Sequence, residues 1–336
     1  MSHFRSARRP FARALRRAAA LLAAPLLASA VPAAAAQVPP TGSLDAGSLI
    51  DAVGSVQTAS ARHDWEVLCT PTDPGLAEAS GLAFVGDRLY VLPDGDGHSR
   101  TRIAELDRDC GVVRWIDTGV VGVDTEDLAS VDGMLVVADI GDNASARDEI
   151  SFIVVDPAET DPSPTGVHRL RYTDGARDAE ALVVAPDGRF VIVSKDPFGT
   201  GRISRPVGDP SILELGAGVT DLEPHGSVRM YAGEGAGSMG LGAVGSGEAG
   251  SSSPFGVVTG GGTAVDGSVV VLRTYWQVYV YRFTGDLTES LKSRPVVFAA
   301  PDEPQGEAVA VSPAGDLLTL SEWRDDGPRA LCVHDT

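Results

Sequence analysis

Thr125-Glu-Asp-Leu-Ala-Ser-Val-Asp-Gly-Met-Leu-Val-Val-Ala-Asp139 decides the fold. An acidic start leads into a short apolar strand, a glycine turn follows, and a second apolar strand ends in a polar residue. Four other segments share this plan. They run from Glu78-Ala-Ser-Gly-Leu-Ala to Asp94, from Glu180-Ala-Leu-Val to Lys195, from Thr259-Gly-Gly-Gly to Thr274, and from Glu307-Ala-Val-Ala to Glu322. Their turns centre on Gly86, Gly133, Gly188, Gly267 and Gly315. A third strand usually follows each hairpin, and no long helical period appears.

A repeat of this kind predicts units that cannot bury both apolar faces alone and close radially on their neighbours. The expected fold class is therefore all-β: a single β-propeller with five clear repeats and five or six blades, six slightly favoured. Glu126, Glu180, Thr259 and Glu307 fall 54, 79 and 48 residues apart, against a usual repeat of about 40 to 50. The long gap admits a degraded blade at 211–231 or a Gly/Ser-rich insertion at about 233–253. Trp65–Cys69 and Ala330–Val333 are strand-like, and pairing them would complete one blade and close the ring. A two-sheet sandwich is the structural alternative.

Upstream, residues 1–36 read as a signal peptide: six arginines, an apolar run from Ala18 to Val31, and Ala34-Ala35-Ala36 before Gln37. The expectation is a protein secreted after cleavage near Ala36/Gln37, extracellular or cell-wall-associated, with no membrane span in the mature form. Residues 37–63 read as a flexible tether with a weak helix near Leu49 to Val56, and 64–336 as the propeller. Loss of the six arginines leaves 21 bases against 46 acids, a net charge of −25. That charge argues against nucleic acid and anionic membranes as partners. A small anionic substrate or an extracellular protein partner remains, with the chain expected as a monomer. Cys69, Cys110 and Cys332 form an odd set in an exported context, so one thiol is left over. Cys69 can pair with either of the others. The repeat geometry mildly favours Cys332.

In a propeller, the start of strand one and the end of strand two meet at one mouth of the channel. The aligned starts are Ser80, Glu126, Glu180, Thr259 and Glu307; the ends include Asp94, Asp139, Lys195, Arg273 and Glu322. Carboxylates gathered there repel unless a cation or proton compensates. Glu126, Glu180 and Glu307 are the candidate metal ligands, and such hard oxygen donors suit Ca²⁺ or Mg²⁺. Lys195, Arg273 and Glu322 are the candidate catalytic groups, the two cations stabilising developing negative charge. The same cations can instead neutralise the ring internally. Asp94, Asp139, Asp142 and Asn143 are candidate ligand-binding residues. Asp139-Ile-Gly-Asp142-Asn143 carries the sole asparagine, although Asp, Gly and Asn also favour a plain tight turn. Asp94-Gly-Asp96-Gly97 has Ser99 where a calcium loop of the EF-hand type needs glycine. Gly235-Ala-Gly-Ser-Met-Gly240 lacks the strand-to-helix setting of a dinucleotide fingerprint. The scattered histidines, His98 among them, support neither a zinc site nor a serine triad.

The motifs Glu78-Ala-Ser-Gly-Leu-Ala, Thr125-Glu-Asp-Leu-Ala, Ala138-Asp-Ile-Gly-Asp-Asn143, Asp178-Ala-Glu-Ala-Leu, Val258-Thr-Gly-Gly, Leu272-Arg-Thr-Tyr275 and Gln305-Gly-Glu-Ala-Val occur in that order. In this the chain resembles an uncharacterised family of exported actinobacterial β-propeller proteins. That family is similar in turn to phytase-like propellers described as having esterase-like activity. The resemblance implies a propeller, export, and a calcium-assisted hydrolase of phosphate or other esters. It also implies a Cys69–Cys110 pair. The competing readings are a non-catalytic extracellular binding scaffold and a lactonase-like metabolite enzyme on the same fold.

Overall fold

In the computed structural model, residues 65–159, 164–230, 256–322 and 330–334 are described. All lie in the unit Ser43–Thr336. The expected signal peptide, the tether with its weak helix, and the Gly/Ser-rich insertion lie outside the described residues.

The described strands form five antiparallel four-stranded groups. After β1 (Trp65–Cys69), the first comprises β2 (Ala79–Val85), β3 (Arg88–Pro93), β4 (Arg100–Leu106) and β5 (Val112–Val121). The second comprises β6 (Thr125–Val131), β7 (Met134–Asp139), β8 (Ile150–Val155) and β9 (Gly166–Tyr172). The third holds β10 (Ala179–Val184), β11 (Phe190–Ser194), β12 (Thr200–Pro206) and β13 (Val219–Arg229). The fourth holds β14 (Val258–Thr263), β15 (Val269–Thr274), β16 (Gln277–Arg282) and β17 (Val296–Ala299). The last holds β18 (Gln305–Val311), β19 (Leu317–Glu322) and β20 (Leu331–His334), and β1 completes it by pairing with β20, Trp65 opposite His334.

The ring closes through its cores. Five apolar clusters occur among the described residues, each filling the gap between two neighbouring sheets. The cluster containing Leu82 partners from β2 and β3 with residues of β18 and β19, and so joins the last sheet to the first. The preference for a sixth blade finds no sixth sheet among the described residues. Where a degraded blade at 211–231 was the alternative, the described residues 211–230 supply a short 3-10 turn and β13, the outer strand of the third sheet. β13 also pairs in parallel with β9 through Val219–Leu222, joining the second and third sheets along their outer edges.

The turn glycines behave as the repeat requires. Gly86, Gly133, Gly188, Gly267 and Gly315 all have φ between 61° and 99°, a region a side chain disfavours. Cys69 is bonded to Cys110, and Cys332 is a buried free thiol. This corrects the pairing that repeat geometry favoured and agrees with the one the resemblance implied. β1 does bring Val67 opposite Cys332, but Cys69 falls beyond a register shift, opposite Leu331. No helix among the described residues is long and apolar enough to cross a membrane.

Candidate metal centre at the channel mouth

The innermost strands β2, β6, β10, β14 and β18 each carry a register shift at one place. It falls between Ala79 and Gly81, Thr125 and Asp127, Ala179 and Ala181, Val258 and Gly260, and Gly306 and Ala308. The extra residues are therefore Ser80, Glu126, Glu180, Thr259 and Glu307, the five aligned starts of the repeat. A bulge re-aims the side chain of its extra residue and recurs beside functional sites. All five are buried. Two are structural: Ser80 Oγ donates to Thr125 O at 3.0 Å, and Thr259 Oγ1 donates to Gly306 O at 2.9 Å, each tying its sheet to the next. The three glutamates have no such tie.

Glu126 is the centre of the site. One oxygen each from Asp94, Asp124 and Glu126 lie within 4.8 Å of one another, and so do oxygens from Glu126, Asp178 and Glu180. These buried acidic clusters can hold a metal ion. Glu126 is 6% exposed, and no hydrogen bond or ion pair reaches its carboxylate among the described residues. Burial, and then Glu180, Asp94 and Asp124 as like charges, push its pKa well above the carboxylate range. Burial and Asp124 raise Asp94 to about 7. Burial and Asp178 likewise raise Asp124. These are the electrostatics of an acidic cluster that favours a proton or a cation.

Glu180, a member of the second trio, also meets a cation, although burial still raises its pKa well above the usual carboxylate range. Lys195 Nζ lies 2.5 Å from Glu180 Oε1 and 5.8 Å from the centre of the Tyr275 ring. Burial works against its charge, but Glu180 and Glu307 outweigh burial and hold the ammonium well above its usual pKa. Gln305 Nε2 donates to Glu307 Oε1 at 2.9 Å and also to Glu322. Glu307 Oε2 is buried without a hydrogen-bond partner among the described residues. Burial raises Glu307 to about 7, with Lys195 opposing.

The other expected site residues stand elsewhere. Arg273 was expected to clamp anions at the mouth. It is 0% exposed, donates to Ala308 O at 2.8 Å and pairs with the buried Glu303 at 2.7 Å. A guanidinium enclosed in this way ties the fourth sheet to the fifth and cannot meet a ligand. Asp139 Oδ1 accepts from Val123 and Asp124 N–H and pairs with Arg147, while Oδ2 accepts from Ser151. Asp142 accepts from the Ala146 and Arg147 N–H groups, and its own N–H reaches Asp178 Oδ1 at 2.8 Å. Asn143 is exposed. The Asp139–Asn143 segment is thus the tight turn that positions Asp124 and Asp178, with Asp139 and Asp142 fully engaged by protein donors. His98 is exposed in a turn held by Asp96.

Asp124 and Asp178 were missed from sequence. Their signal is Asp-x-Glu, read at Asp124-Thr-Glu126 and again at Asp178-Ala-Glu180. The turn between them leaves no space to spare. A Cβ on Gly141 would lie 2.3 Å from Glu126 Oε1 and 2.5 Å from Asp124 Cγ. Gly141→Ala should cost roughly 1–3 kcal/mol by overpacking, read as a fall in the urea midpoint, and should displace Glu126. An unchanged midpoint would show that the cluster tolerates a methyl group. Farther along the innermost strands lies a cavity of about 40 Å³ lined by Leu82, Leu128, Leu182 and Val311 together with Ser130 and Thr263.

No family model matches the chain, and no curated protein matches it. Among solved structures it is similar to the PQQ-bound form of an aldose sugar dehydrogenase from Streptomyces coelicolor. That match has 14% identity over 80% of this chain and 97% of that one, with a TM-score of 0.43. It is also similar to a luciferin-regenerating enzyme, at 11% identity over 80% of this chain and 94% of that one, with a TM-score of 0.38. Likeness at this level assigns no activity.

Proposed function

We propose that this chain is an exported propeller hydrolase of small esters or phosphoesters, working at a divalent-cation centre built on Glu126. The observation that carries the reading is Glu126 itself: a buried carboxylate without a donor among the described residues, shared by two trios of acids. Oxygens on one Ca²⁺ ion stand no more than about 5.2 Å apart, a limit that oxygens within 4.8 Å of one another meet. Either trio would hold the ion, Asp94, Asp124 and Glu126 or Glu126, Asp178 and Glu180, with Glu126 common to both. A cation held there would supply Lewis-acid chemistry, polarising an ester or phosphoryl oxygen and acidifying a water. Glu307, with its raised pKa of about 7, suits proton transfer near neutrality. Lys195 supplies positive charge next to Glu180. The disulfide and the expected signal peptide support export.

The Lys195–Glu180 pair also favours a second reading, in which the ring is neutralised from within and the propeller is a binding scaffold. Calcium titration of residues 37–336 by calorimetry and thermal shift separates the two. The hydrolase reading expects saturable Ca²⁺ binding that Glu126→Gln weakens at least about tenfold, together with loss of ester or phosphoester turnover. Equal Ca²⁺ affinity in the variant, or no response to any divalent ion, would leave the scaffold.

A further inference from the structure

Beside the acidic mouth, on the first sheet, lies a pocket of about 260 Å³, close to the lower end of small-ligand sites. Its inner wall carries Glu78 and Asp94; its outer wall carries Arg100, Arg102 and Trp115. The register of β4 against β5 shifts between Arg100 and Arg102, so that Arg102 faces Asp117. Asp117 does not hold it. That carboxylate accepts from Gly119 N–H and lies 3.6 Å from Arg100. Asp96 is likewise engaged, by His98 N–H, Ser99 N–H and Ser99 Oγ.

Arg102 is therefore an exposed guanidinium with no carboxylate partner among the described residues, in a chain of 46 acids and 27 bases. Its Cζ sits 4.7 Å over the Trp115 ring. Stacking on tryptophan holds the guanidinium plane and leaves its edge donors free, which is how arginine is prepared for a planar or tetrahedral oxyanion.

We propose that this pocket is an oxyanion subsite in which Arg102, stacked on Trp115 and assisted by Arg100, holds a carboxylate or phosphate group of a small ligand. The pocket sets the direction. Glu78 and Asp94 repel an anion at the inner wall, so the charged end sits at Arg102 and the neutral or ester portion faces Asp94. The subsite goes beyond the cation-centre reading and does not depend on it, because no atom of Arg102 or Trp115 belongs to either acid trio.

Trp115 gives the readout. Tryptophan fluorescence of residues 37–336 would be titrated with inorganic phosphate and, separately, with succinate, in chelator. The expected result is a saturable change with at least one probe, absent in Trp115→Phe and weakened at least about tenfold in Arg102→Ala. The probe that binds more tightly identifies phosphate or carboxylate as the group recognised. Arg102→Ala should keep the wild-type melting temperature and calcium response, since the side chain is exposed and outside the acid cluster. Equal affinity in Arg102→Ala, or no saturation by either probe at millimolar concentration, overturns the subsite. A missing calcium response in wild type would count against the metal centre alone.

Discussion

Asp127→Ala should be the most destabilising single substitution at the mouth, at roughly 3–5 kcal/mol, with about 1–3 kcal/mol expected for each buried donor left unpaired. Asp127 is fully buried at the start of β6. Its Oδ1 accepts from Leu128 N–H at 2.8 Å, and its Oδ2 accepts from Leu182 N–H at 2.8 Å and Gly261 N–H at 3.2 Å. One carboxylate therefore links β6, β10 and β14. The registers place Gly81, Ala181, Gly260 and Ala308 at the same position in the other innermost strands. Four sheets bring a small residue to a crowded axis, and the fifth brings an acid that collects donors left over by its neighbours. Burial pushes the Asp127 pKa well up. Every neighbour within hydrogen-bond reach is a donor, however, so the ionised form is the one this arrangement satisfies. Asp127→Asn keeps one acceptor oxygen but turns an NH₂ group toward N–H donors, and should lose nearly as much. Urea unfolding at neutral pH in chelator measures both variants. A loss under about 1 kcal/mol for Asp127→Ala would mean that water replaces the carboxylate, and that the axis is wetter than its packing indicates.

The fold was legible because a propeller writes its period into the chain. The five turn glycines all have positive φ, and the five aligned starts are the bulge residues of the innermost strands. Backbone geometry demands particular residue types there, so sequence reports it directly. The sixth blade was inferred from a gap length, and length does not distinguish a lost blade from a long outer strand such as β13.

The site was less legible, for a physical reason. A polar residue at a strand end has the same sequence signature whether it faces a cavity, a neighbouring sheet or a turn. Arg273 and Lys195 both lie at the ends of equivalent second strands, but the registers set them two places apart. Yet Arg273 is enclosed against Glu303, while Lys195 reaches Glu180 beside the mouth. Asp139 and Asp142 were read for chemistry and turn out to staple backbone. Asp124 and Asp178, two residues before the aligned glutamates, join those glutamates in the acid trios. The alignment marked where acids gather, but which oxygens converge depends on the bulge, and the bulge is set by pairing between strands.

The pH dependence of stability follows from the same convergence, and it runs opposite to that of an ordinary salt-bridged surface. Asp94 and Glu307 are raised to about 7 and Glu126 is raised well above its usual value, in each case first by burial. A carboxylate whose pKa is higher in the folded state binds protons that the unfolded chain releases near pH 4. Its contribution is complete below the unfolded pKa and disappears as pH rises through the folded one. In chelator, stability should therefore fall between about pH 4 and pH 8, by roughly 2–4 kcal/mol in all, since coupled acids titrate together. Asp209 and Asp286, lowered despite burial by bonds to Arg205 and to backbone, act oppositely; their stabilisation fades only below the usual carboxylate range. Lys195 stays charged throughout this window and adds no slope. The cation-free optimum should accordingly lie near pH 4–5, as judged by melting temperature across a buffer series. Calcium competes with those protons for the same oxygens, so added Ca²⁺ should restore stability most at pH 8 and least at pH 5. Glu126→Gln removes one buried titrating acid, so it should flatten the slope and raise the melting temperature of the chelated protein at pH 8. A melting temperature that rises from pH 5 to pH 8 in chelator would instead mean that these carboxylates are satisfied as anions by the fold itself, leaving a cation no work at the mouth.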